Sequence, residues 1–410
     1  MASFNQSNQS NVFKTVWPQE DVDPMAYEDR PLYAMTTKQD NWEGLYQDID
    51  INYSTGGGKG SQWDKARTNK RASSVDKFHV PSYDYFELWS VDHKTMWLSR
   101  NKKGAVYDIL RKSTESKLEQ FFRARALQIW GNGGGAIGRL AAAQTLSSTT
   151  WTLRDPYDVI NFEIGDVVQL GSGDGTSGSA RAYTVPAEVL EVTPGETTST
   201  LTMSVAPNTF TSASADDYIF IEGDFGNWMP GLSGYIVKGT PAALHGLTRT
   251  TYRNRLAGVP VDLTGKQVKE GIRRLLTVGR QFGAKPTDVF VSPQRFEDLD
   301  LDLGSQLRYA DAKVGSVGFT GIKFNQHRGA PVNVWADPDI PDVNDVYAPN
   351  MRDFKLRTAG EDPMWMTVDG SREWRIEDSN NALEGRIGGY GAAIMERPGD
   401  HCVGNFAGLS

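Results

Sequence analysis

Residues 102–130 read KKGAVYDILRKSTESKLEQFFRARALQIW, and this stretch decides the fold. Its apolar residues recur at helical spacing and fall roughly on one stripe, formed by Val106, Leu110, Leu118, Phe121, Phe122, Ile129 and Trp130. At 1.5 Å per residue, about 27 residues give a rod of roughly 40 Å. Glycines follow from Gly131, the usual position of glycine past a helix end. The stretch therefore predicts one long amphipathic helix.

The segment before this helix predicts an exposed hairpin. Residues 55–60 form the glycine-rich turn TGGGKG, and residues 59–77 carry six basic and two acidic side chains, a net charge of +4. Residues 78–92, FHVPSYDYFELWSVD, alternate as a strand does, with Pro81 breaking the run. A long hairpin that leads into a long helix favours an arm that reaches another copy of the chain. A solvated basic loop and a nucleic-acid reader are the alternatives.

Residues 1–52 are polar, with nine acidic and three basic residues and a net charge of −6. Large apolar residues are scattered among them, namely Phe13, Val16, Trp17, Tyr33, Trp42 and Tyr46. Because such side chains are rarely left loose in water, we expect an extended arm that docks through them. A disordered tail is the alternative.

The remainder of the chain predicts a mixed α+β fold. Residues 151–224 contain four or five short alternating segments split by turns such as GSGDGTSGSA, which indicates an inserted β-barrel or sandwich. Residues 262–283 predict a second helix with Thr264 as its N-cap. A strand at 288–291 and a short helix at 293–303 follow, and strands alternate with turns to the C-terminus.

Composition narrows the class of protein. The 410 residues are 39% hydrophobic, enough for two or three packed units. A net charge of −8 argues against a general nucleic-acid binder. The single cysteine, Cys402, excludes an intrachain disulfide framework and fits a reducing compartment. No run approaches the ~18 apolar residues of a membrane span, and the N-terminus lacks the apolar core of a signal peptide.

No catalytic, cofactor-binding or metal site is predicted. GGGAIG at residues 133–138 matches a dinucleotide loop, but it follows a helix instead of a strand. GGGKGS at 56–61 lacks the Gly-Lys-Ser order of a phosphate loop. The aspartates at 298–302 lack the glycine and glutamate of a calcium loop, and those at 337–345 leave cation binding open. The five histidines show no ligand spacing. We expect a protein that is not an enzyme.

An ordered set of motifs in the second half is similar to a known family. The segments are LHGLTRTTYRNRLAG (244–258), RQFGAKPTDVFVSPQRFEDL (280–299), GIKFNQHRGAPVNVWADPDIP (321–341), VYAPNMRDFKLR (346–357) and YGAAIMERPGDHCVGNF (390–406). Their order resembles the major capsid proteins of tailed bacteriophages, which have the Hong Kong 97-type fold. The resemblance covers nearly the whole chain except 151–224.

The resemblance implies a layout of domains along the chain. The segments are an N-terminal arm (1–52), an extended hairpin loop (53–92), a spine helix with the start of a peripheral domain (93–150), an inserted β-rich subdomain (151–224), an axial domain (225–344), a return through the peripheral domain (345–380) and a closing strand (381–410). The chain departs from some members in lacking a charged helical prodomain and in carrying the insertion. Lysines near the loop do not by themselves imply covalent crosslinking.

The implied function is self-assembly into hexamers and pentamers of an icosahedral head that encloses double-stranded DNA. Expected subunit contacts in the hairpin are Lys59, Trp63, Lys65, Arg67, Lys70 and Arg71, and those in the arm are Phe13, Trp17, Tyr33 and Trp42. The implied partners are other copies, a portal, separate scaffolding or decoration proteins, and DNA through weak salt-sensitive contact. The implied place is the virion capsid, assembled in the host bacterial cytoplasm. An encapsulin-type compartment, a decoration or tail-tube protein and a cofactor-binding enzyme are the rivals.

Overall fold

The computed structural model describes residues 30–92, 105–304, 322–324, 331–366, 374–376 and 382–408. The chain divides into two compact units. We call the first the body, which comprises Met1–Trp130 and Tyr235–Ser410, and the second the insert, which comprises Gly131–Gly234.

Helices and strands alternate along the described segments, as expected for a mixed α+β protein. The α-helices are α1 (Pro31–Met35), α2 (Trp63–Thr68), α3 (Ala105–Trp130), α4 (Leu232–Tyr235), α5 (Arg253–Leu256), α6 (Val268–Gln281) and α7 (Pro293–Gly304). The strands are β1 (Thr37–Gln39), β2 (Tyr46–Ser54), β3 (Ser74–Pro81), β4 (Tyr83–Asp92), β5 (Gly138–Arg139), β6 (Thr150–Thr152), β7 (Val167–Gly171), β8 (Ala187–Thr193), β9 (Thr200–Met203), β10 (Tyr218–Ile221), β11 (Val259–Asp262), β12 (Asp288–Val291), β13 (Ile322–Phe324), β14 (Val332–Ala336), β15 (Asp345–Ala348), β16 (Phe354–Thr358), β17 (Met364–Trp365), β18 (Trp374–Ile376), β19 (Ala382–Met395) and β20 (Cys402–Asn405).

One sheet of the body is built around β19, the longest strand. It pairs antiparallel with β4 from Ala382 opposite Asp92 to Gly391 opposite Tyr83. The same strand also pairs with β16, β17 and β18, and β1 joins the outer side of β16 in parallel. The C-terminal strand is therefore the centre of this sheet, which joins segments from the whole length of the body.

Helix α3 packs against this sheet, and its presence confirms the sequence prediction of a long helix from residue 105 onward. Residues 102–104 lie outside the described part. Phe121 and Ile129 are fully buried on its inner face. The guanidinium of Arg125 is also fully buried, where its Nη2 lies 3.1 Å from Oδ1 of Asp362 and its Nη1 donates to Oε1 of Gln128 at 2.8 Å. A buried charge pair of this kind replaces part of the lost hydration of both ions.

The second sheet of the body has the strand order β11-β20-β15-β12-β14-β13, and helices α6 and α7 contribute side chains to its apolar core. The predicted helix at 262–283 was too long at both ends, because residues 259–262 belong to β11 and α6 begins at Val268. Thr264 is not the N-cap. Its hydroxyl donates to Oδ1 of Asp262 at 2.6 Å and holds a turn, and Gln267 is the N-cap residue.

The insert forms its own sheet in the order β5-β10-β7-β8-β9-β6. Its two ends lie side by side: the backbone N–H of Gly231, three residues before the last, donates to the carbonyl oxygen of Gly131, the first, at 2.8 Å. An isolated bridge between Asn132 and Pro230 continues this closure. We call this pairing the clasp. The insert thus extends beyond the predicted limits of 151–224 at both ends.

Candidate functional site

The hairpin formed by β2 and β3 is the structure's candidate surface for self-association. It begins at Tyr46, inside the segment predicted as arm, and it ends at Pro81. The later half of the predicted 53–92 hairpin, β4, belongs to the β19 sheet instead. Among the described strands, β2 and β3 pair only with each other. Each therefore presents one edge that no described strand pairs with, although the backbone N–H of His79 donates to the carbonyl of His245 at 3.2 Å and the carbonyl of Tyr53 accepts from Arg255 at 3.2 Å.

Cross-strand side chains fix the register of the hairpin near its base. The carboxylate of Asp48 lies 2.6 Å from Nδ1 of His79 and 3.5 Å from Nζ of Lys77. The hydrogen bond with His79 is the main reason that the pKa of Asp48 is below its ordinary value. The rings of Tyr46 and His79 stack at 4.1 Å. Part of the negative charge predicted for the arm is therefore used inside the hairpin.

The outer part of the hairpin has no core. Every residue from Asn52 to Lys77 is described, and none of them is buried. At its tip, Gly56 and Gly58 adopt positive φ angles of 81° and 95°, which allow the chain to turn into the short helix α2. Trp63 begins this helix with 79% of its surface exposed. No described residue covers this large aromatic ring.

Basic side chains surround Trp63 at the tip. All five are exposed: Lys59, Lys65, Arg67, Lys70 and Arg71. None forms an ion pair with a described residue, and the ion pairs of the hairpin lie on its strands instead. The six hairpin residues predicted from the sequence are thus brought together on one exposed tip.

The base of the hairpin is fixed to the body through a socket formed by Phe78, Tyr235 and His245. Phe78 is fully buried, with its ring edge-on to the rings of Tyr235 at 5.9 Å and His245 at 6.2 Å. The hydroxyl of Tyr235 donates to the carbonyl of Ala393 at 3.0 Å, so it accepts from Nε2 of His245 at 3.2 Å. Burial, and then the positive charge of Arg249, lowers the pKa of His245 to about 4. The socket is therefore neutral at physiological pH.

Sequence reasoning missed this socket. The alternation of β3, with Phe78 and Val80 buried and His79 exposed, was a usable signal for a buried phenylalanine. Tyr235 and His245 come from distant positions, and no local pattern marks them.

The predicted arm contacts have divided outcomes. Tyr33 and Trp42 are buried within their own chain. The backbone N–H of Trp42 donates to the carbonyl of Thr358 at 3.1 Å. Those two rings are therefore occupied by intrachain packing, because the body already covers them. Phe13 and Trp17 lie outside the described residues.

Acidic residues that left cation binding open are satisfied by the chain's own groups. Asp339 forms an ion pair with Arg30 at 2.9 Å, and Asp337 accepts the backbone N–H of Leu32 at 3.0 Å. Burial raises the pKa of Asp339 to about 7, against the lowering effect of Arg30. No group of three or more His, Cys, Asp or Glu in the described ranges is arranged to hold a metal ion.

The glycine-rich loop at 133–138 has a structural role in the insert. A Cβ at Gly134 would overlap the carbonyl oxygen of Asp174, and one at Gly175 would overlap the carbonyl of Gly134. Asn132 donates to the carboxylate of Asp174 at 2.7 Å across the same contact. The glycines therefore allow two backbone segments to touch, which accounts for the motif without a nucleotide.

Two further properties concern the thiol of Cys402 and the lengths and apolarity of the helices. The thiol of Cys402 is buried, and burial raises its pKa to about 12, so the reactive thiolate is scarce at neutral pH. In the segments that the structure describes, no helix combines the length and apolarity needed to cross a bilayer.

Comparison with known proteins identifies the fold. No protein-family model and no curated protein matches the chain. Among solved structures, the capsid asymmetric unit of cyanophage A-1(L) matches over 92% of this chain and 93% of that chain, at 11% identity and a TM-score of 0.53. Mycobacterium phage Ogopogo matches over 99% and 100% of the two chains, at 11% identity and a TM-score of 0.43. The virus-like particle from Pyrococcus furiosus matches over 93% and 95%, at 8% identity and a TM-score of 0.37.

We take the fold from the cyanophage match, the one of these three with a TM-score above 0.5. The chain is a mixed α+β protein that shares its fold with a bacteriophage capsid protein. The fold expected from the order of motifs in the second half is thereby confirmed at this level.

Proposed function

We propose that the chain is the major capsid protein of a tailed bacteriophage and that its activity is self-assembly into an icosahedral shell. The fold shared with the cyanophage capsid protein supports this class of function. Because one fold hosts many functions, the proposal depends on a site, and that site is the hairpin.

The hairpin carries the proposal because its two strands pair with no other described strand and its outer part packs on no described core. A two-stranded ribbon is marginally stable in water, and its exposed edges invite pairing with another chain. The stretch from Asn52 to Lys77 contains no buried residue. Contact with a second copy would cover Trp63 and would satisfy backbone groups along one edge of the ribbon.

We infer that the tip binds a neighbouring subunit through Lys59, Trp63, Lys65, Arg67, Lys70 and Arg71. The net charge of the chain is −8, so a basic tip is attracted to the acidic surface of other copies. Each exposed ion pair contributes only ~0–1 kcal/mol. Repetition over many copies makes such weak contacts effective.

The arm has two roles in this proposal. Tyr33 and Trp42 hold its C-terminal part to its own subunit, and Phe13 and Trp17 are the candidates for contact with a neighbour. The acidic residues that precede Arg30 are suited to the basic hairpin tip of another copy.

The finer description of the shell follows the family resemblance. Helix α3 corresponds to the spine helix, the β19 sheet to the peripheral domain, and the β11–β20 sheet to the axial domain. The insert decorates the outside of the shell and is not needed for contact between subunits. Subunits form hexamers and pentamers around double-stranded DNA, with a portal and separate scaffolding or decoration proteins as partners, in the host cytoplasm and then in the virion.

Assembly of the purified full-length chain tests the proposal. We expect closed shells by negative-stain electron microscopy and large species by mass photometry. Replacing Lys65, Arg67, Lys70 and Arg71 together by glutamate is expected to abolish assembly without changing the melting temperature, since all four are exposed. Trp63→Ala is expected to weaken assembly. Ile164→Ala, at an exposed apolar position of the insert, is the matched control.

Two results would contradict the proposal. One is a wild-type chain that stays monomeric at high concentration with its hairpin protected from exchange. The other is normal shell formation by the quadruple variant, which would remove the hairpin tip from the mechanism. An encapsulin-type compartment would be indicated instead by two observations. The shells would capture a protein cargo through a docking peptide, and they would take up no DNA when a portal and a packaging motor are supplied.

A further inference from the structure

Helix α6 presents a basic outer face on the second body sheet. It buries Ile272 and Leu275 in the core, whereas Arg273 and Arg274 point to solvent. Neither arginine forms an ion pair with a described residue. Phe282, directly after the helix, exposes 59% of its surface. The helix thus combines two exposed cations with a largely exposed aromatic ring. Hydrogen bonds from Thr264 lower the pKa of Asp262, and Arg274 lies near enough to that carboxyl to help lower it.

Helix α7 presents the opposite charge. It buries Leu299, whereas Glu297 and Asp300 are exposed on its outer side and pair with no described residue. Leu301, next to them, exposes 72% of its surface. Asp298 is already paired with Arg295 at 2.9 Å and does not belong to this surface. The outer face of α7 therefore matches that of α6, with an apolar side chain beside two charges of opposite sign.

The two helices lie side by side on the sheet, in contact with each other and in a defined order. Helix α6 packs on β11, β20 and β15, and α7 packs on β14, toward the other end of the strand order. Both helices contribute to one apolar core, so they lie on the same side of the sheet. If copies are set side by side in one orientation, the α7 side of one copy meets the α6 side of the next.

We propose that α6 of one subunit docks on α7 of the neighbouring subunit. Arg273 and Arg274 face Glu297 and Asp300 of the second copy, and Phe282 packs with Leu301 of that copy. The contact is heterologous, since the two surfaces differ, and repetition of a heterologous contact generates a ring. This inference rests on the proposed self-assembly, and it names a second interface that is separate from the hairpin.

Opposite charge argues for a second copy of this chain as the occupant. Each face meets the complement of its charge on the other helix of the same fold, and each offers one exposed apolar side chain of similar extent. A nucleic acid would be attracted to α6 alone and would be repelled by α7.

Charge reversal tests the pairing in the full-length chain. Arg273→Glu with Arg274→Glu, and separately Glu297→Lys with Asp300→Lys, are each expected to raise the concentration at half-assembly about tenfold, as two lost surface ion pairs imply. Combining all four substitutions restores the attraction with exchanged signs. We therefore expect the combined variant to return to within about threefold of wild type.

Controls separate this contact from general charge effects. Glu191→Lys with Glu196→Lys makes the same charge change as the Glu297/Asp300 variant, on exposed residues of the insert, and is expected to leave assembly unchanged. Thermal unfolding checks that every variant is folded. Light scattering at increasing salt is expected to reduce the difference between wild type and the reversed pairs, because screening weakens exposed ion pairs.

Specific outcomes overturn the inference. If the wild type assembles and either reversed pair assembles equally well, the interface is not formed by these helices. If both pairs impair assembly and the combined variant is as poor as either, α6 and α7 do not meet each other. If the Arg273/Arg274 variant loses only DNA binding, α6 faces nucleic acid. A wild type that never assembles refutes the proposed function, and a failed rescue refutes this contact alone.

Discussion

Replacing Phe78 by alanine should release the hairpin from the body while leaving the rest of the fold in place. Phe78 fills the socket formed with Tyr235 and His245, and beyond it, from Asn52 to Lys77, no residue of the hairpin is buried. The ring therefore supplies much of the free energy that keeps β2 and β3 in position. Ile51 and Val80 are the other buried side chains of the two strands.

The magnitude follows from the burial of the ring. Removing a fully buried phenylalanine costs about 3–5 kcal/mol, which includes the cavity that it leaves. Because the hairpin opens locally, this cost is subtracted from its local opening free energy. At about 1.4 kcal/mol per factor of ten, the amides of β2 and β3 should exchange about 10²-fold to roughly 4,000-fold faster, up to the rate of an unprotected amide.

Hydrogen exchange measured by mass spectrometry on unassembled protein is the assay. Peptides covering Tyr46–Ser54 and Ser74–Pro81 should lose protection, and those covering Asp288–Val291 and Val332–Ala336 should not. Val75→Ala removes a half-exposed side chain from the same strand and is the matched control, with no expected change. Equal loss of protection in all four segments, or unchanged exchange in the hairpin, would refute the view of Phe78 as a local anchor.

Three further outcomes are expected. Asp362→Asn should lower the free energy of unfolding by about 3–5 kcal/mol, because it leaves the buried guanidinium of Arg125 uncompensated. In urea unfolding, the double variant with Arg125→Met should lose less stability than the sum of the two single losses. Strict additivity would contradict the pairing. His401→Asn should remove an acid-dependent loss of stability, because burial lowers the pKa of His401 to about 3 and the unfolded chain therefore binds the proton at a higher pH than the folded chain does. Between pH 6 and pH 4, the free energy of unfolding of wild type should fall by about 2 kcal/mol relative to that of the variant. Parallel profiles of stability against pH would refute this. Gly134→Ala should destabilise the insert by at least ~1–3 kcal/mol, because the new Cβ would overlap the Asp174 carbonyl. Gly60→Ala, whose Cβ would make only ordinary contacts, is the control and should leave the rate of limited proteolysis unchanged. Equal cleavage of the two variants would count against the backbone contact.

A second buried group, Asp339, also makes the stability of the protein depend on pH. Asp339 has a pKa raised to about 7 by burial, so its folded form keeps a proton that the unfolded form releases. Its contribution to stability therefore increases as the pH falls from about 7 toward 4, opposite to that of His401. Comparing wild type with His401→Asn cancels the contribution of Asp339.

Local periodicity predicted the elements that obey it. The apolar stripe of residues 105–130 gave α3, and Pro81 separated β3 from β4 as a proline does in a strand. The start of the hairpin was missed because YQDIDINYS contains two aspartates and looked like part of an acidic tail. Both carboxylates instead lie within ion-pair distance of Lys77 across the ribbon, and that of Asp48 also contacts His79, a pairing that only the register reveals.

Long-range pairing set the limit of the sequence analysis. Tyr33 and Trp42 were expected to contact another subunit, but residues far along the chain bury them. The ion pair of Arg30 with Asp339 likewise joins two residues that lie 309 positions apart in the chain. No spacing in the sequence signals such contacts, because they depend on the arrangement of complete sheets. The two outer helical faces were visible only once α6 and α7 were seen on one side of their sheet.

Because of the clasp, the insert can be replaced by another folded unit. A unit whose two ends are already joined by the Gly231–Gly131 hydrogen bond requires only one short gap to be bridged in the surrounding polypeptide. Foreign modules with neighbouring termini, such as antigens or enzymes, are therefore suited to genetic exchange at this position. In the proposed shell, such a fusion would carry one foreign module per subunit.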